Sequence, residues 1–297
     1  LRHPPRGTDP SVFQRAAPEV PRPRAAADAL AVTWIGHSAT LLQIGGLNLL
    51  TDPMFGLRAS PVRFAGPRRR VPPGIALAEL PPVDAVLLTH NHYDHLDTGS
   101  VRMLARRHPE AIWIVPLRLG PFVQELGPRV VVELDWWTEH TVGPLHITAT
   151  PAQHFSARTP FDRNRTLWCG YAVRAPRHGV LFAGDTGYHP EFARVGRALG
   201  PFDLVMLPVG AYEPARIMQP LHLNPEEAVR AYQDLSGSNG GGGVMMAVHW
   251  GTFKLTLEPM DEPPARVRRA WQAAGLPPQG LWVPRHGETR LVPGRTP

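Results

Sequence analysis

The sequence predicts a four-layer α/β plan: two β-sheets packed face to face, with helices over the outer sides. Three observations predict it. Short runs rich in Val, Ile, Leu and Thr recur along the chain, with helical segments between them. Some of these runs are apolar throughout, as strands covered on both faces are. Clusters carrying histidine and aspartate come directly after such runs, where a rigid sheet presents a loop.

Taken in order, residues 1–29 hold six prolines and five arginines and read as an irregular arm. Residues 30–297 read as one domain. Strands are expected at Ala31–Ile35 and Thr40–Ile44, then, after the Gly45-Gly46 turn, at Leu47–Leu50. Pro53–Pro82 is rich in Arg and Pro and reads as a loop. Val83–Thr89 is apolar but for Asp84 and Thr89 and is expected as a fully buried strand, and Thr98–Arg107 has helical composition. Further strands are expected at Ala111–Val115, Val130–Leu134, His146–Thr150, Leu167–Val173, Val180–Ala183, Leu204–Val209 and Val244–Val248. Asn224-Pro225-Glu226-Glu227 is a helix start: Asn caps, Pro suits the first turn, and acids favour the positive end. That helix is expected to run to Leu235, with a loop at Ser236–Gly243 and a last helix at Pro264–Ala274.

Composition excludes several classes. Hydrophobic residues at 43% and charged residues at 19% describe a globular chain. One cysteine, Cys169, rules out an internal disulfide, a four-cysteine zinc finger and a CxxC motif. No apolar run reaches the ~18 residues of a membrane span, and no signal-peptide core is visible, so the expected place is the cytoplasm or a membrane surface. The net charge of +6 comes almost wholly from arginine, since Lys254 is the only lysine. Charge of this sign suits anionic partners without choosing among them.

The 14 histidines are more specific. Val83–Thr89 runs into His90-Asn91-His92-Tyr93-Asp94-His95, which offers four potential metal ligands within six residues. One short loop cannot close a metal shell. Three partners stand beside other strand ends: His154, Asp185 and His249. Imidazole and carboxylate ligands suit zinc, and a catalytic zinc keeps an open position. His90 and His92 can reach one ion from an extended loop, while Asp94 and His95 serve a second. A carboxylate such as Asp185 can bridge both. Ordinary loop histidines, or one closed structural zinc, would leave the three partners as coincidence.

With Trp34-Ile35-Gly36-His37-Ser38-Ala39-Thr40, Thr51-Asp52-Pro53, Leu134-Asp135-Trp136-Trp137, Gly184-Asp185-Thr186-Gly187-Tyr188, Gly210-Ala211-Tyr212-Glu213-Pro214 and His249-Trp250-Gly251-Thr252-Phe253, this pattern resembles the N-acyl-phosphatidylethanolamine-hydrolysing phospholipase D family of the metallo-β-lactamase superfamily. The resemblance runs from about Val32 to Thr289. It implies an αββα sandwich with two zinc ions per chain. One would take His90, His92, His154 and Asp185, the other Asp94, His95, Asp185 and His249. It implies hydrolysis of N-acyl-phosphatidylethanolamine to N-acylethanolamine and phosphatidic acid by an activated water, a phospholipid partner and a homodimer.

Asp94, Asp185 and His222 are the candidate catalytic residues, and His222 resembles a family histidine near the substrate phosphate. Gln153, Tyr188, Tyr212 and His222 are candidate substrate contacts, with packing as the other reading for both tyrosines. Asp97 is either an acceptor behind a ligand histidine or the cap of the following helix. His37 is expected as a buried hydrogen-bonded histidine beside the site. Peripheral membrane contact is expected from Met54–Ile75, where Phe55, Leu57, Val62 and Phe64 sit among Arg58, Arg63, Arg68, Arg69 and Arg70. The span from His95 to His154 is too short for a large inserted domain, so no nucleic-acid partner is expected. Hydrolysis of a small phosphorylated substrate, lactone or phosphodiester, is the alternative activity.

Overall fold

Alternation builds the first sheet. In β1 (Leu30–Gly36), Leu30, Val32 and Trp34 point into the space between the sheets, while Ile35 points to the outer side. β2 (Ala39–Ile44) and β3 (Leu47–Thr51) repeat this with Leu42, Ile44 and Leu49 inward and Leu41 and Leu50 outward. Both faces are therefore covered, and the polar side chains buried there find partners, as where Gln43 donates to Asn48 Oδ1 at 2.9 Å. The computed structural model describes residues 13–236 and 243–293. The expected loop at Ser236–Gly243 lies largely outside the described residues.

The first sheet runs β14 (Thr289–Val292), β1, β2, β3, β4 (Ala85–Leu87), β5 (Ile112–Pro116) and β6 (Val130–Leu134). The second runs β13 (Leu281–Trp282), β12 (Val244–Val248), β11 (Leu204–Pro208), β10 (Gly179–Phe182), β9 (Gly170–Arg174), β8 (Leu145–Thr150) and β7 (Glu139–Val142). One core joins the inner faces and continues under α3 (Glu191–Leu199), α5 (Pro225–Ser236) and α6 (Glu262–Ala273). A second core lies between the first sheet and α1 (Thr98–Arg107) and α2 (Gly120–Gln124), with Val101, Leu104 and Val123 against Val86, Leu88 and Trp113. α4 (Ala215–Met218) is a single turn after β11. The four-layer expectation is met.

Strand direction places the site. β1 and β3 are both antiparallel to β2, and β3 is parallel to β4. β8 and β10 are both antiparallel to β9, and β10, β11 and β12 are parallel. The C-terminal ends of β1, β3 and β4 therefore share one edge of their sheet. Those of β8, β10, β11 and β12 share one edge of the other.

Two strands are shorter than expected. β4 starts at Ala85 because Asp84 turns its carboxylate to the Asn48 N–H (2.8 Å) and to Arg24. β9 starts at Gly170 because Leu167 and Cys169 donate their N–H groups across to Leu117 and Thr89 in the other layer. The arm is anchored where it is described. Gln43 and Asn48 donate to the carbonyls of Pro21 and Pro23, and Arg15 pairs by a bridge with His286.

Candidate metal centre

His90 to His95 follow β4, His154 follows β8, Asp185 follows β10 and His249 follows β12, so all seven expected ligands meet at one edge of the sandwich. Asp185 Oδ2 lies at their centre. It is 3.1 Å from His95 Nε2 and 3.1 Å from His249 Nε2. It is 4.0 Å from His90 Nε2, and 3.9 Å from both His154 Nε2 and His222 Nδ1. On one side, His92 Nδ1 is 2.8 Å from His90 Nε2 and 3.1 Å from His154 Nε2. On the other, Asp94 Oδ2 is 3.4 Å from His95 Nε2 and from His249 Nε2.

Surrounding hydrogen bonds decide which ring nitrogens carry lone pairs. Asp52, fully buried, accepts His95 Nδ1–H at 2.7 Å. It also accepts the Thr89 hydroxyl (2.7 Å) and the Thr89 N–H (2.8 Å). The Thr89 hydroxyl has thus spent its proton and accepts His90 Nδ1–H at 2.9 Å. His154 Nδ1–H donates to the Leu221 carbonyl at 2.9 Å. For His90 and His154 this leaves the lone pair on Nε2, aimed at the centre. Burial alone would lower His95, but Asp185, Asp94 and Asp52 hold it well above the usual imidazole pKa, so an ion would take the place of its Nε2 proton. Burial holds His90 and His154 well below the usual imidazole pKa, so both stay neutral. Burial alone would raise Asp185 and Asp94, but the surrounding histidines hold both carboxyls well below their ordinary range. Asp185 Oδ1, His222 Nδ1 and His249 Nδ1 are buried without a partner. Converging lone pairs, two carboxylates and orphaned buried atoms fit cations between them.

The backbone is shaped for this arrangement. His37, Asp52 and His249 have positive φ values of 57°, 31° and 61°. Such conformations are uncommon outside glycine and collect at functional sites. Gly184 has φ +65°, and a Cβ there would lie 2.8 Å from the Thr89 methyl, so only glycine lets the Asp185 loop approach the His90 loop.

A family profile described as "Beta-lactamase superfamily domain" matches residues 47–250. Over 248 residues the chain is 38% identical to the N-acyl-phosphatidylethanolamine-hydrolyzing phospholipase D 1 of Caenorhabditis elegans, covering 78% of this chain and 68% of the worm protein. The chain belongs to that family, within the beta-lactamase superfamily. An uncharacterized Mycobacterium tuberculosis protein, Rv0906, is 44% identical over 276 residues, covering 91% of this chain and 73% of that one. Igni18, a metallo hydrolase from the archaeon Ignicoccus hospitalis, has the same fold at TM-score 0.64 and 20% identity, covering 89% of this chain and 98% of its own.

The family's metal-dependent hydrolase fold accounts for the cluster, but several expected contacts lie elsewhere. Asp97 caps α1 by accepting the Ser100 N–H at 2.9 Å, and the acceptor behind a ligand histidine is Asp52. The Tyr188 hydroxyl donates to Asp234 on α5, under Arg230. The Tyr212 hydroxyl donates to Glu262 on α6 at 2.8 Å. Both tyrosines follow site loops in sequence but spend their hydroxyls on helix carboxylates. Gln153 Nε2 donates to the Pro220 carbonyl at 2.9 Å and braces the loop behind His154. His222 is buried within the cluster, and burial pushes it down to about 4, so it is neutral. His37 is buried as expected, and its Nε2 donates to Asp94 Oδ2 at 2.8 Å. Arg69, expected on the surface, is buried, donates to the Gly56 carbonyl at 3.0 Å and packs 4.9 Å from the Phe253 ring centre.

Sequence reasoning missed the roles of Asp52 and Thr89. The available signal was position: each stands within two residues of a strand's end, and the two strands are parallel neighbours.

Proposed function

We propose that this chain is a two-zinc phosphodiesterase that hydrolyses N-acyl-phosphatidylethanolamine to N-acylethanolamine and phosphatidic acid. The observation that carries the reading is Asp185 Oδ2, set among five imidazole nitrogens at 3.1–4.0 Å. Its placement suits a carboxylate shared between two cations. His90, His92, His154 and Asp185 would hold one, and Asp94, His95, Asp185 and His249 the other. Such ions lower the pKa of water toward neutrality and offset negative charge at phosphorus.

The reaction forms one phosphorus–oxygen bond to water and breaks the bond to the N-acylethanolamine oxygen, which leaves with a proton. The chain's own groups position these events. Asp52 and Thr89 fix the tautomers of His95 and His90. His37 donates to Asp94, which holds that carboxylate oxygen in one orientation. His222 presents Nδ1 to the same space, 3.9 Å from Asp185 Oδ2, and is not one of the seven. It is the group that would hydrogen-bond a phosphoryl oxygen. The relative in C. elegans, named for this phospholipase activity, supports the substrate class.

No helix among the described residues is long and apolar enough to cross a membrane, so the lipid would be met at a membrane surface. The test is a lipid panel given to the purified protein, with products read by mass spectrometry. Release of N-acylethanolamine with phosphatidic acid is expected. Turnover of soluble phosphodiesters or lactones alone, with intact lipid left, would overturn the substrate.

A further inference from the structure

The cluster's first four ligands ride on a six-residue loop with no regular structure, and a single side chain spans it. Arg158 Nη1 donates to the Asn91 carbonyl at 2.7 Å and to the Leu96 carbonyl at 2.9 Å. These two carbonyls bracket His92, Asp94 and His95. The guanidinium lies 4.0 Å from the Tyr93 ring centre on the same loop and 5.2 Å from that of Phe122 on α2. The Tyr93 hydroxyl returns a bond to the Arg158 carbonyl at 2.8 Å. Asp162 accepts the backbone N–H groups of Arg158 and Thr159 at 3.0 and 2.7 Å, which fixes the turn that carries the arginine.

We propose that Arg158 is a positioning residue that locks the His90–His95 loop to the His154 segment and thereby sets the affinity of the metal centre. It makes no hydrogen bond to any of the seven ligand side chains. It lines a cavity of about 440 Å³ together with Asn91, Tyr93 and Leu96, behind the loop, and none of the seven lines that cavity. His92, Asp94 and His95 turn to the cluster, while Asn91, Tyr93 and Leu96 line the cavity that the arginine also lines. Arg158 stands four residues after His154. One guanidinium thus joins the two segments that supply five of the seven ligands. A planar group between two aromatic rings holds its direction, whereas a lysine ammonium is a point charge on a flexible stem. Bonds that orient ligands from behind typically carry 10–100-fold in metal affinity.

The inference rests on the cluster being a metal centre, but not on the lipid substrate. The experiment is zinc competition against a chromophoric chelator, with circular dichroism to verify folding. Arg158→Ala should bind zinc roughly 10–100-fold more weakly than the parent. Arg158→Lys should fall between them. Millimolar methylguanidinium should restore affinity to Arg158→Ala and leave the parent unchanged. Affinity within threefold of the parent in a folded Arg158→Ala would overturn the proposal, and so would a loss that methylguanidinium does not restore. Should Arg158→Ala fail to fold, Arg158→Lys decides, and parent-like affinity there overturns it. A parent that binds zinc tightly yet hydrolyses no lipid would remove the substrate and leave this proposal standing. A parent that binds none would remove both.

Discussion

Replacing Asp52 by Asn tests how far the site depends on groups that never meet substrate. The substitution keeps shape and removes one charge. In the parent, Asp52 accepts three hydrogen bonds, two from Thr89 and one from His95 Nδ1. An amide accepts at only one of its two ends. With its NH2 toward His95 and the Thr89 hydroxyl, His95 must move its proton to Nε2 to accept. That proton is then fixed on the nitrogen 3.1 Å from Asp185 Oδ2, where an ion would need a lone pair. With its NH2 toward the Thr89 N–H instead, two donors face each other in a buried site. Losing a hydrogen bond to a charged buried group costs about 1.5–3 kcal/mol. If that falls on metal binding, affinity drops by roughly 10–100-fold, the range seen for groups behind metal ligands. Elemental analysis after dialysis and chelator competition would read the loss directly. Excess zinc should recover part of the turnover, since the remaining ligands are intact. Asp52→Asn with parent metal affinity and parent turnover would refute the tautomer reasoning.

Four further outcomes follow from the same geometry. Protein purified without chelator should carry close to two divalent ions per chain by elemental analysis; one ion would reject the shared-carboxylate reading. Asp185→Asn should lose metal and turnover together, whereas His222→Ala should keep its metal and lose mainly kcat; normal turnover in Asp185→Asn refutes the assignment. Tyr212→Phe removes the bond to Glu262 and should cost about 1 kcal/mol of stability by thermal unfolding, with kcat/KM unchanged; a tenfold loss of kcat/KM would return Tyr212 to the substrate site. Phe64 is 83% exposed, with Arg63, Arg68 and Arg70 exposed around it. At about 1 kcal/mol per basic residue, the triple Ala variant of those arginines should bind anionic vesicles roughly a hundredfold more weakly at low salt. Unchanged sedimentation would remove that loop from membrane contact.

The ligands were legible in the sequence because each follows a strand, and β4, β10 and β12 are buried on both faces. Such strands read as apolar runs, and their ends are marked by the first polar residue, as at Thr89 before His90 and at His249. That the ends share an edge was less legible. It depends on strand direction, fixed here by the Gly45-Gly46 hairpin and by β9, which returns between β8 and β10. Edge strands such as β7 and β14 gave no signal, since residues such as Glu139 and Arg290 interrupt them. The tyrosines show where local reading ends. Tyr188 and Tyr212 stand beside site loops, yet partners 46 and 50 residues later claim their hydroxyls. Nothing near either tyrosine announces a carboxylate on α5 or α6.

Arg158 lies beyond local reading for the same reason, with a different consequence. Its segment is irregular and turn-rich, without the periodicity that marks an element. Its meaning comes from two carbonyls 67 and 62 residues earlier. Carbonyls belong to every residue, so no side-chain pattern at Asn91 or Leu96 could point to it. Side chains that bind metal leave a compositional trace, because only a few residue types have the chemistry. Those that hold the binding loop by its backbone leave almost none. The site's chemistry is therefore written in residue types, and its rigidity in contacts that only the fold creates.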